Sequence, residues 1–70
     1  MSSYQRISCK DHSIYELAIM RQQVMKVEIQ GELTRIKPID IATRGGAEFL
    51  IFINEQDEKQ ELRADQIIIQ

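Results

Sequence analysis

Pro38 stands inside "LTRIKPIDIA", the stretch Leu33 to Ala42 that otherwise reads as a strand. A proline has no N–H to give to a ladder, so it implies an edge, a bulge or a sharp bend, and the alternation slips across it. A strongly bent second strand is the expectation. The chain has 70 residues and a single cysteine, Cys9, so no internal disulfide can staple it. A domain this small sits near the lower limit at which buried apolar surface offsets conformational entropy, and its fold must be economical.

Around the proline the apolar period reports the other elements. Ile14, Leu17, Ala18 and Arg21 fall at i, i+3, i+4 and i+7, which predicts a helix over about residues 11–22 with Ile14, Leu17 and Ala18 inward and the arginine stem closing the stripe. Ser13 with Glu16 has capping-box spacing, and Asp11 upstream competes as the N-cap. The period then becomes two. In "VMKVEIQ", Met25, Val27 and Ile29 alternate with Lys26, Glu28 and Gln30, so one side faces a core. Gly31 with Glu32 reads as a tight turn, and "TRGG" as a second one in which Gly45 and Gly46 take positive φ. "AEFLIFIN" is nearly continuous apolar, the mark of a central strand covered on both faces. "QELRA" follows as a short strand with Leu62 inward, and "IIIQ" closes the chain after a turn at "ADQ".

The predicted fold is therefore mainly β: one N-terminal α-helix and then about five antiparallel strands over residues 24–69, in a single domain spanning 1–70. Curling bent strands into a small Sm-like (SH3-like) barrel, with the helix over one mouth, removes exposed edges most cheaply. A flat sheet crossed by the helix is the alternative. No apolar run approaches the roughly 20 residues that span a bilayer, and "MSSYQRISC" lacks the apolar stretch of a secretory signal, so a cytoplasmic protein is expected.

"ISCKDHSIYELAIM" gathers the only cysteine, the only histidine and two carboxylates. Cys9, Asp11 and His12 are the residue types of a nucleophile, an orienter and a base, but neighbours at a helix start diverge, whereas a triad converges from separate elements. Cys9 and His12 offer half of a zinc site, and no other Cys or His exists to complete the usual four ligands. The plain reading is a buried thiol beside a helix cap. No catalytic residue, cofactor, metal site, small-molecule substrate or membrane contact is expected. His12, Tyr15 and Ile19 form a second stripe, and with Asp11 and Glu16 in the first turns it reads either as a solvated helix start whose Tyr15 merely covers the barrel or as an acidic docking face with an aromatic anchor. Arg44 at the tip of "TRGGAE" suits a phosphate or carboxylate, or simply stays wet; Glu55, Asp57 and Glu58 read as a solvated loop. Eleven acids against nine bases give a net charge of −2, which argues against a general attraction for nucleic acid and favours a basic partner.

"YQRISC", "DHSIYELA", "VEI", "GEL", "IDIATRGGAEFLIF" and "ELRADQI", in this order and spacing, resemble the Rho-binding antiterminator family (Rof, or YaeO) over Tyr4 to about Ile67. The resemblance implies a bacterial cytoplasmic protein with a helix on an Sm-like barrel that binds the N-terminal region of the transcription terminator Rho. That region is a basic, aromatic OB-type cleft that takes single-stranded RNA. Docking there blocks RNA loading and reduces Rho-dependent termination. By position, the implied Rho contacts are Asp11, Ser13, Tyr15 and Glu16 on the helix and Arg44, Gly45, Gly46 and Glu48 at the hairpin. Lys10 stands where members tend to carry another acid, and the two glycines where they carry bulkier polar residues. The rival reading is an Sm-like RNA-binding module, against which the chain shows no basic stripe interleaved with aromatics.

Overall fold

The computed structural model describes residues 9–70. A helix, α1 (Cys9–Arg21), precedes strands β1 (Met25–Ile29), β2 (Glu32–Arg44), β3 (Ala47–Ile53) and β4 (Lys59–Arg63), a 3-10 turn (Ala64–Gln66) and β5 (Ile67–Ile69). All pairings are antiparallel, and the strands form one sheet in the order β4-β3-β2-β1-β5. The expected class and strand count are what the chain adopts.

The bend at Pro38 organises the rest. The first part of β2 pairs with β1, from Ile29↔Glu32 to Met25↔Ile36, and the second part pairs with β3, from Lys37↔Ile53 to Arg44↔Ala47. Between them the register slips: Pro38 faces Phe52 and Asp40 faces Ile51, leaving Ile39 as the extra residue of a bulge. Such a bulge bends and twists its strand, which lets β2 belong to two half-sheets at once. Of the options a strand proline leaves open, the chain uses the bulge in a central strand, and Pro38 itself is fully buried.

The sheet is strongly curved. β4 and β5 occupy its two edges, yet only the 3-10 turn separates them in sequence. A flat sheet would hold these edges about 19 Å apart at ~4.8 Å per strand, while the steps from Arg63 to Ile67 reach no more than about 14 Å. Curvature brings Val27, Ile36, Leu50, Phe52 and Ile67 into one core with Tyr15 from the helix, and Met25, Ile29, Ile41, Leu62 and Ile69 pack around them. Met25, Val27, Ile29 and Leu62 thus face inward as their spacing predicts. β3 is flanked on both sides and carries Leu50 and Phe52 buried, with Phe49, Ile51 and Ile53 half-covered.

Two turns follow the chemistry of their residues. Gly45 and Gly46 have φ of 57° and 80° between the paired Arg44 and Ala47, the two-residue hairpin in which both central residues are left-handed. The first hairpin corrects the expectation: its turn is Gln30–Gly31, and Glu32 already pairs with Ile29. The polar turn at 54–58 closes on Asn54, whose Oδ1 accepts from the N–H groups of Gln56 and Glu58 at 3.0 and 2.9 Å.

The helix already includes Cys9, so Asp11 and Ser13 lie inside it and neither occupies the N-cap position expected of it. It ends in a Schellman arrangement: the Gln23 N–H donates to the Ala18 carbonyl at 2.9 Å and the Gln22 N–H to Ile19 at 3.3 Å. Gln22 sits there at φ 54°, where a side chain is disfavoured. Gln22→Gly is expected to stabilise the fold by about 1 kcal/mol, a rise in Tm of roughly 4–8 °C for a domain of this size. Thermal unfolding followed by circular dichroism measures it, and an unchanged or lower Tm contradicts the assigned cap.

Candidate protein-docking face

Helix α1 lies over the inner side of the curved sheet near the end where Thr43 and Glu48 face each other across the β2–β3 hairpin. Its weakly segregated sequence, with apolar residues at Ile14, Tyr15, Leu17, Ala18, Ile19 and Met20, does not dictate which side turns inward. The core selects Tyr15, 1% exposed, and Ala18, 3% exposed, while Leu17 is 45% exposed. This corrects the predicted orientation of Leu17, which faces out; of the two readings of Tyr15 the structure gives the one in which the ring covers the sheet, since it is a core residue and not an exposed anchor. A large ring fills the mouth of the curved sheet better than a leucine does, and burying it removes more apolar surface from water. Cys9 is exposed, not the buried thiol expected.

His12 fastens the helix to the hairpin. Its Nδ1 lies 2.9 Å from Glu16 Oε1, one helical turn on, and its Nε2 lies 3.7 Å from Glu48 Oε2 on β3. The first is a hydrogen-bond distance and the second an electrostatic contact only. The two carboxylates assigned to different elements are thereby drawn to one imidazole and share one face. Beside it runs an open groove of about 320 Å3 lined by His12, Glu16, Ile19, Met20, Asp40, Ile41 and Thr43. The Asp40 carboxylate, held at the bulge by accepting from the Ile41 N–H at 2.8 Å, gives the groove a second exposed acid. Met20, 77% exposed, and the half-buried Ile19 place apolar surface at the groove's helical side.

Of the residues the sequence singled out, Asp11 is half-buried, Ser13 and Glu16 are exposed on the helix, and Glu48 is half-buried under His12. Gly45 and Gly46 form the exposed hairpin tip. Arg44 does not join this face. It alternates with Thr43 onto the outer side of the sheet, where it pairs with Glu61 and lies over the Phe49 ring, 4.7 Å from its centroid. Its expected freedom at the tip is replaced by contacts within the fold. Asp40, Ile41, Thr43 and Met20 were missed; Asp40 had a signal in its place two residues after the strand proline, where a bulge re-aims side chains.

His12 faces Glu16 and Glu48, each from a different element, and not Cys9; among the described residues no group of three or more His, Cys, Asp or Glu is placed to hold a metal ion. No helix among the described residues is long and apolar enough to cross a membrane. No protein-family model and no curated protein sequence matches the chain.

The orientation of α1 has a direct energetic signature. Tyr15→Ala is expected to cost roughly 3–5 kcal/mol, the range for truncating a buried aromatic, whereas Leu17→Ala is expected to cost less than about 1 kcal/mol. Urea unfolding of the two variants decides it, and equal or reversed losses contradict the assigned helix face.

Proposed function

We propose that this protein inhibits Rho-dependent transcription termination by binding the RNA-binding N-terminal region of Rho and blocking RNA loading. The observation that carries the reading is the joint face of α1 and the β2–β3 hairpin: Glu16 and Glu48 meet at His12, Asp40 stands across the groove, and Ile19, Met20 and Ile41 line it beside them. An apolar centre with an acidic rim suits a partner surface that is basic and also carries apolar or aromatic groups. A cleft that tracks single-stranded RNA has that composition. The resemblance over Tyr4 to Ile67 supplies the partner's identity, and it implicates the same two segments, the helix and the hairpin; its first residues, Tyr4 to Ser8, lie outside the described residues.

In this reading Asp11, Glu16 and Glu48 occupy the cations that otherwise hold RNA phosphate, Ser13 and the Gly45–Gly46 tip contribute polar and backbone contacts, and Tyr15 acts from the core by fixing the helix. Rim charge pairs such as that of the exposed Glu16 speed encounter and are screened by salt, while the half-buried Asp11 and Glu48 and the apolar centre prolong the complex. The protein acts in the bacterial cytoplasm and performs no chemistry on its partner. We further propose that the curved sheet closes as an Sm-like barrel, which the short Arg63–Ile67 connection between its edge strands supports.

The test is displacement of labelled cytidine-rich RNA from purified Rho hexamer on filters. Wild type is expected to release RNA in proportion to its concentration, less so as salt rises. A Glu16→Lys/Asp40→Lys variant is expected to need at least tenfold more protein. Failure of the wild type to release RNA at low salt overturns the reading, as does full potency of a folded double variant.

A further inference from the structure

The sheet register assembles a basic band that is dispersed in the sequence. On the outer side of the first half-sheet Lys26 faces Arg35 directly, two like charges in adjacent strands. That pairing is unfavourable unless something anionic covers it. Arg35 and Lys37 flank the buried Ile36 on β2, so both point away from the core, and Lys37 continues across Ile53 to Lys59 on β4. Lys26, Arg35 and Lys59 are exposed and Lys37 half-buried, and none of the four makes an ion pair among the described residues.

We propose that this band binds the phosphate backbone of single-stranded nucleic acid. The cations form a track: adjacent strands separate Lys26 from Arg35 by about 5 Å, two residues separate Arg35 from Lys37 by about 7 Å, and two strand spacings separate Lys37 from Lys59 by about 10 Å. Acids border it on both sides, Glu28 in the row of Leu33 and Ile68, and Glu61 in the row of Ile51. A narrow linear polyanion fits between these borders; a broad acidic surface would meet them. Glu55, which shares clefts with Arg35, is engaged by the Thr34 hydroxyl at 3.2 Å, and Asp57 shares the cleft of Arg35 and Lys37 at its turn end. The track crosses the strands instead of following an edge, so an extended acidic peptide laid along it finds no backbone partners, while a sugar-phosphate chain needs none. No aromatic lies in these rows, so the contact is to phosphate and is independent of base sequence. This site is separate from the helix–hairpin face, and it departs from the expectation, drawn from net charge, of no direct nucleic-acid contact.

The test uses the full chain alone and a fluorescein-labelled 12-nucleotide oligouridylate, read by anisotropy between 20 and 200 mM salt, so it is independent of any effect on Rho. Engagement of up to four phosphates predicts a log–log salt slope of about −3, at ~0.7 per phosphate. Lys26→Gln/Arg35→Gln is expected to lower affinity at 50 mM salt at least tenfold and to halve that slope, and Lys59→Gln to lower it by a smaller factor, while Arg21→Gln at the helix end leaves it unchanged. Absence of salt-sensitive binding by the wild type overturns the proposal. So does wild-type affinity in the folded double variant, or displacement of the oligonucleotide by a glutamate 12-mer at equal concentration, which would reassign the band to an acidic protein segment.

Discussion

Everything in this fold depends on one irregular step in one strand. At Pro38 the ladder loses a donor, at Ile39 it gains an unpaired residue, and at Asp40 it resumes with the second partner strand. β2 has thirteen residues, of which Glu32–Ile36 pair with β1 and Lys37–Arg44 with β3, so a straight β2 would hold its two partners as separate patches at its ends. With it, the two half-sheets turn toward each other and enclose Leu50, Phe52, Val27 and Ile36 in a core small enough for Tyr15 and Ala18 to finish. A chain without a disulfide needs that economy.

The same step shapes the functional surface. It aims Asp40 and Ile41 toward the helix, where they form the wall of the groove opposite Glu16 and Met20. It also brings Arg35 and Lys37, on either side of Ile36, into line with Lys26 and Lys59 on the outside of the bend. Geometry thus gathers Glu16, Glu48 and Asp40 about the groove where the helix meets the hairpin, and Lys26, Arg35, Lys37 and Lys59 into a band on the outer side that Glu28 and Glu61 border. The net charge of −2 conceals both. In the proposed mechanism the acidic face competes for a basic cleft, and the basic band gives the protein a weaker hold on the strand that cleft accepts.

Much of this was legible because strand periodicity is a local signal. The alternation of Met25, Val27 and Ile29, the apolar run of β3, the glycine pair after Arg44 and the proline in β2 each act on their own backbone, and each appears where it was read. The helix was harder. With apolar residues around most of its circumference, the choice between Leu17 and Tyr15 rests on the shape of the cavity that the strands leave, which no helical spacing encodes. Gln22 and Gln30 adopt left-handed backbone without being glycine, so residue type alone places the first hairpin turn one residue late. The ion pair of Arg44 with Glu61 and the band of Lys26, Arg35, Lys37 and Lys59 join residues far apart in sequence, and only the register brings them together. The convergence of Glu16 and Glu48 on His12 was half visible, in the i, i+4 spacing within the helix.

The central claim is that the helix and hairpin made continuous by this packing form the surface that meets Rho. Amide hydrogen exchange of the full chain, with and without Rho hexamer at low salt, tests it most directly. Slowed exchange is expected across residues 9–21 and 40–48, with residues 54–60 unchanged. Unaltered exchange throughout, or protection confined to 54–60, would contradict it.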